Sequence, residues 1–177
     1  MKKILCLIAA EDRLWNMRRA LLRTEETCPG LFSGSCWSLW DLCAHPEKTP
    51  AMLAEAEACD FAIMRFHGSA QKLEGFPKVW QAITRRMPVY FESSLPQEIA
   101  ELMPDSGLTE EEYRELQKYF RYGDEPNYYG MLLCIARDRF GAQVSPPAPV
   151  PPLEEGLYDR GRVLSREEAE ALLLHLT

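Results

Sequence analysis

At 177 residues, 46% hydrophobic and 27% charged, the chain has the length and composition of one globular domain with room for a short appendage. A formal net charge of -7 leaves no surplus of cations to displace counterions, which argues against nucleic acid or an anionic membrane surface as partner. Nothing is long and apolar enough to span a bilayer. The short apolar run that opens the chain meets Glu11, Asp12 and Arg13 at once, so it reads as a buried strand rather than a secretion signal, and the expected location is cytoplasmic.

Residues 3–9 form the first expected strand. Asp12 is the expected cap of a helix running to about Arg23, with Leu14, Met17 and Leu21 on one face. Residues 31–40 read as a second strand, made irregular by Gly34. Pro50 opens a helix through Ala58 that turns Met52, Leu53 and Ala56 inward. Residues 60–68, Asp-Phe-Ala-Ile-Met-Arg-Phe-His-Gly, contain the near-continuous apolar run of a strand covered on both faces. Phe76, Val79, Trp80 and Ile83 repeat at i, i+3, i+4 and i+7, which predicts a helix over 76–84. Residues 88–92 make a fourth strand. The alternation predicts an α/β fold: a small four-stranded parallel sheet with flanking helices, flavodoxin-like or half-Rossmann-like, with right-handed crossovers.

Beyond Ser94 the pattern becomes helical, and the chain ends in a helical and Pro-rich segment. A short helix is expected over 96–103. Thr109 with Glu112 is a capping box, followed by a helix that buries Tyr113, Leu116 and Phe120. Pro126 starts another helix, with Leu132, Ile135 and Ala136 inward, ending near Gly141. Five prolines in the seven positions 146–152 predict an extended, semi-rigid connector. A last helix starts at Ser165, capped with Glu168, and carries Leu172, Leu173, Leu174 and Leu176. The expected organisation is a domain over 1–143, a connector over 144–164 and a terminal helix over 165–177, docked on the core or continuing into a further domain.

The six cysteines, Cys6, Cys28, Cys36, Cys43, Cys59 and Cys134, include no C-x-x-C pair, and the three histidines are far apart. Paired ligands at short spacing are the mark of a structural zinc site, so no metal is assigned and the thiols are expected reduced and mostly buried. The loop after the first strand, Ala9-Ala10-Glu11-Asp12, has no glycine and two anions, which would repel a phosphate. No dinucleotide or P-loop motif occurs. Glu11 and Asp12 resemble the magnesium-binding pair of phosphorelay receiver domains, but Arg65 and His67 stand where an aspartate acceptor would be needed. Ser33-Gly34-Ser35-Cys36-Trp37 resembles the segment around the nucleophile of papain-like peptidases, with His175 downstream. The preceding glutamine and the orienting asparagine are missing, and Cys36 falls on a strand rather than at a helix N-terminus. A cysteine hydrolase using Cys36 is a minor alternative.

A longer resemblance runs through three segments in order. Residues 58–68 are similar to the segment "acidic residue, apolar strand, Arg-x-His-Gly" near the start of the large subunits of cobaltochelatase and magnesium chelatase. Tyr122-Gly123-Asp124-Glu125-Pro126-Asn127 resembles that family's Tyr-Gly-Gly-x-x-Asn segment, with Asp124 in place of the second glycine. The proline run ending in Glu155-Gly156-Leu157-Tyr158 resembles its Gly-Ile-Tyr-His-Pro turn, with Asp159-Arg160 in place of His-Pro. The resemblance covers only the amino-terminal part of a much longer subunit. It implies an amino-terminal domain that contributes to tetrapyrrole (corrinoid or porphyrin) binding for ATP-dependent metal insertion, and that inserts no metal alone. It implies no cofactor on this chain, ATP and magnesium being used by partner subunits. The implied partners are the remainder of the large subunit, its ATPase subunits and the tetrapyrrole. A structural and protein-interaction module without substrate contact is the alternative.

In open α/β sheets ligands gather outside the carboxyl ends of the strands. Arg65 and His67 stand at such an end with Gly68 at the turn. Arg65 offers a fork for a carboxylate, and His67 a hydrogen-bonding or proton-accepting ring. Trp37, with Trp40, offers a flat apolar wall, and Asn127 hydrogen-bond donors near a helix start. The expected substrate-binding set is Arg65, His67, Gly68, Trp37 and Asn127, with no catalytic residue.

Overall fold

The computed structural model describes residues 1–151, 157–159 and 162–174. Thus His175, Leu176, Gly156 and Arg160 lie outside the described residues. Four strands, β1 (Lys2–Ile8), β2 (Phe32–Ser38), β3 (Phe61–Arg65) and β4 (Val89–Glu92), pair in parallel in the order β2-β1-β3-β4. That order reverses direction at β1, the flavodoxin-like arrangement rather than a half-Rossmann one. Each connection carries helix: α1 (Glu11–Thr27) after β1, α2 (Leu39–Ala44) and α3 (Thr49–Ala56) after β2, and α4 (Phe76–Thr84) after β3. Then come α5 (Pro96–Leu102), α6 (Glu110–Phe120) and α7 (Glu125–Phe140).

The sheet is apolar on both sides because both sides are covered. Ile4 to Ile8 and Phe61 to Met64 are essentially inaccessible to water. Successive residues of a strand face opposite ways, and paired residues of neighbouring strands face the same way. Tyr90 meets Tyr113 and Phe120, and Phe120 meets Tyr128, so α6 and α7 cover the Tyr90 face. Phe91 meets Trp80 of α4 on the other. Gly34 of β2 shows why α1 shares the Tyr90 face: a β-carbon there would stand 2.4 Å from Leu21 Cδ2. Gly34 does not break the strand; it admits the helix.

The Thr109–Glu112 capping box forms as expected, and α7 ends at Gly141 in the left-handed conformation that glycine favours. Three expectations are corrected. Asp12 caps nothing: the cap position falls two residues earlier, at Ala10, which has no side-chain cap, and Asp12 lies in the first turn of α1. The second strand stops at Ser38, whose hydroxyl accepts from Asp41 N–H and starts α2, so Trp40 is helical. A hairpin of β5 (Leu157–Asp159) and β6 (Arg162–Leu164) precedes α8 (Arg166–Leu174), where a turn and connector were expected.

Residues 141–151 have no regular secondary structure, yet they are fastened down. Tyr119 Oη donates to the Pro147 carbonyl at 2.9 Å. Asn127 donates to the Val150 carbonyl at 2.8 Å and accepts from its N–H at 2.9 Å. Among the described residues, no helix is long and apolar enough to cross a membrane.

Candidate functional site

The loop after β3 is the most heavily braced polar turn at the carboxyl edge of the sheet. Phe66 is buried against Phe76, and its N–H bonds the Glu92 carbonyl, extending the β3–β4 pairing by one residue. Gly68 follows in the left-handed conformation, and its N–H donates to Ser94 Oγ at 3.2 Å. Ser69 Oγ and the Ala70 N–H both donate to Oε1 of Glu98, at 3.1 and 2.9 Å. Ser93 Oγ donates to Oε2 of Glu98 at 2.5 Å. A buried carboxylate with three donors is well satisfied, and this one ties the β3 loop to the β4 loop.

This bracing presents His67 to solvent. Its ring meets the edge of the half-exposed Trp40 ring, with centroids 6.1 Å apart. Lys72 lies over the Trp40 ring at 5.7 Å and donates to the His67 carbonyl at 3.3 Å. An aromatic plane, an imidazole and a cation therefore share one exposed patch.

Arg65 faces the other way, under α1 and α7. Its Nε stands 3.4 Å from Glu92 Oε2, a loose ion pair between directly paired residues of β3 and β4. Arg13 of α1 flanks the same carboxylate. Burial pushes the Glu92 carboxyl above the usual range, and Arg65 and Arg13 pull it partway back. Tyr128 of α7 lies beside Arg13, and burial raises its phenol to about 12. The Tyr122–Asp124 loop closes over Arg13, with Gly123 buried against the guanidinium and its carbonyl accepting from Asn16 Nδ2 at 2.9 Å.

Of the expected residues, Arg65, His67 and Gly68 are consecutive parts of one strand end. Trp37 is not with them. It pairs with Leu7, on the sheet face opposite Arg65, and its indole donates to Glu55 Oε2 of α3 at 2.7 Å. Trp40 takes the place beside His67. Asn127 is buried in the first turn of α7, its amide engaged by Asp124 and Val150. Arg13, Lys72, Glu92, Glu98 and Tyr128 went unread in the sequence.

Cys36 pairs with Cys6 across β1 and β2. A hydrogen bond from the Cys6 thiol lowers the Cys36 pKa and Arg18 helps, against opposing burial. Among the described residues, no hydrogen bond joins Cys36 to a histidine, and no group of three or more His, Cys, Asp or Glu is placed to hold a metal ion.

No protein family and no curated protein matches the chain by sequence. Among solved structures, the catalytic subunit of cobaltochelatase from Mycobacterium tuberculosis matches with a TM-score of 0.64 and 14% identity, over 90% of this chain and 12% of that one. The chain spans about an eighth of that subunit's length. At this identity the likeness is one of fold: nearly the whole chain has the architecture of one part of a cobaltochelatase subunit.

Proposed function

We propose that the chain acts as an amino-terminal domain of a cobaltochelatase-type large subunit and contributes to tetrapyrrole binding. In this reading other subunits use ATP and magnesium for metal insertion, and the domain does not insert metal alone. The single observation carrying the proposal is the fold likeness to a cobaltochelatase catalytic subunit over 90% of the chain. The Arg65-Phe66-His67-Gly68 strand end supports it, with the Trp40 ring beside His67 offering a flat surface to a macrocycle edge.

A visible-absorbance titration of a metal-free corrinoid and a metal-free porphyrin tests the reading. A saturable band shift at micromolar protein, weakened at least roughly tenfold by His67→Ala or Arg65→Ala, is the expected result. No shift well above micromolar concentration overturns it. It would favour the second reading, an interaction module, which the exposed Leu172, Leu173 and Leu174 of α8 support.

A further inference from the structure

The outward face of α1 carries two large apolar side chains. Trp15 and Leu22 are 61% and 59% exposed, while Leu14, Met17 and Ala20 bury the opposite side of the helix. Seven positions apart on a 3.6-residue helix, they project within about 20° of each other and form one stripe. Leu22 stands between two grooves. One runs along β2 and holds Arg18 and Glu25; the other runs along the start of α7 and holds Arg19, Arg23, Glu26 and Glu125.

The charges beside the stripe fall in blocks. Arg23 is already paired with Glu125 at 3.0 Å and lies over the Tyr129 ring. Setting that pair aside leaves two cations, Arg18 and Arg19, and two anions, Glu25 and Glu26. Arg18 makes one long hydrogen bond, to the Cys36 carbonyl at 3.4 Å. The side chains of Arg19, Glu25 and Glu26 make no hydrogen bond or ion pair among the described residues. Each arginine lies seven positions from the glutamate of its own groove, too far for an i, i+4 pair. The last turn of α1 has no basic residue, so both glutamates sit uncompensated at the negative end of the helix dipole.

This pattern selects its occupant. Two cations, a leucine and two anions in chain order are the complement of the same sequence read backwards. We propose that α1 pairs antiparallel with α1 of a second copy of the chain, about a two-fold axis through Leu22. Each groove then meets its own counterpart, with Arg18 against Glu25 and Arg19 against Glu26 of the other copy, four ion pairs in all. The arginines reach the helix end that lacks cations, and Leu22 packs on Leu22. A parallel copy would set like charges together. Glu11 and Asp12 lie outside the overlap, which spans residues 17–27 of each helix and is about 16 Å long. Trp15 passes the end of the overlap to meet the exposed Pro29 of the other copy. A single helix pair is smaller than an interface of about 1,600 Å², so the expected dissociation constant is roughly tens of micromolar.

Sedimentation equilibrium of the 177-residue chain over a range of concentrations is the test. The wild type is expected to dimerise reversibly, and less well as salt rises from about 0.05 to 0.5 M. Arg18→Glu with Arg19→Glu, and separately Glu25→Arg with Glu26→Arg, should each weaken self-association at least roughly tenfold. Mixed in equal amounts, the two double variants should form a heterodimer at least as tight as the wild-type dimer, because every pair is then opposite in sign. Leu22→Cys should give a disulfide-linked dimer on mild oxidation, well above the wild type treated alike, since only a residue at the two-fold axis meets itself. Should a double variant fail to fold, Leu22→Cys carries the test. A wild type monomeric to roughly 200 μM overturns the pairing and leaves this face to a different protein. A dimer indifferent to both double variants, or variants that do not recover on mixing, overturns it too and moves the contact elsewhere, such as the open edge of β2. Neither result bears on the macrocycle titration, which tests a different face.

Discussion

Gly123 and Arg13 share space so closely that a β-carbon on Gly123 would lie 1.0 Å from Arg13 Nη1. The glycine also sits at φ 71°, in the left-handed region. One residue thus answers two demands, a turn before α7 and a close approach to a buried guanidinium. Gly123→Ala is expected to destabilise the fold by about 2–3 kcal/mol in urea unfolding. In an Arg13→Ala background the same change should cost only the left-handed strain, about 1 kcal/mol. Equal costs in both backgrounds would show that the two residues do not press on each other.

Glu92 makes stability depend on pH. Its pKa is raised in the folded protein, so the fold holds the proton more tightly than the unfolded chain does. Ionising Glu92 therefore costs stability. The cost is absent below the ordinary glutamate pKa, grows as pH rises toward the folded value, and is complete above it. Arg65 and Arg13 stay charged throughout, so losing their partner in Glu92→Gln adds only a constant offset. Across roughly pH 4 to 8 the wild type should lose stability relative to Glu92→Gln as pH rises. A difference that stays flat contradicts the raised pKa.

Cys36 should be the first thiol to react among Cys36, Cys43, Cys59 and Cys134. The Cys6 hydrogen bond and Arg18 lower its pKa, while burial raises the other three, Cys134 to about 12. Iodoacetamide labelling below the usual thiol range, read by peptide mass, is expected to mark Cys36 first, and Arg18→Gln to slow it. Reactivity alone does not make a hydrolase. Cys36→Ser should leave the macrocycle titration unchanged.

Glu98 is expected to hold the loop that carries His67. Glu98→Ala strips the partner from Ser69, Ser93 and the Ala70 N–H. It should destabilise the protein by about 2–4 kcal/mol and speed amide exchange at Gly68, Ser69 and Ala70 more than in β1. Uniform acceleration across the sheet would mean a global rather than a local role.

The four strands, the helix over 76–84 and the capping box were legible in the sequence because each rests on local periodicity or a short motif. The flavodoxin-like order followed from the alternation only as one of two options, since pairing order is not a local property. Trp37 was misplaced for a specific reason. Strand alternation assigns a face only when the register with Arg65, through β1, is known. Trp40, read together with Trp37 as one wall, does stand beside His67, but from α2, because the Ser38 cap ends the strand two residues earlier than the apolar pattern implied. Arg13 and Tyr128 are separated from Arg65 by 52 and 63 positions, and no spacing rule joins them. Only the packing of α1 and α7 over one sheet face does.

The fastening of Pro147 and Val150 to Tyr119 and Asn127 fixes a point of departure. Loose, the roughly ten residues from Gly141 to Val150 would be a leash with a reach of about 30 Å if fully extended. Stapled to α6 and α7, they are instead a bracket. Whatever follows Val150 leaves from one address on the surface of the domain, and any swing it retains pivots there.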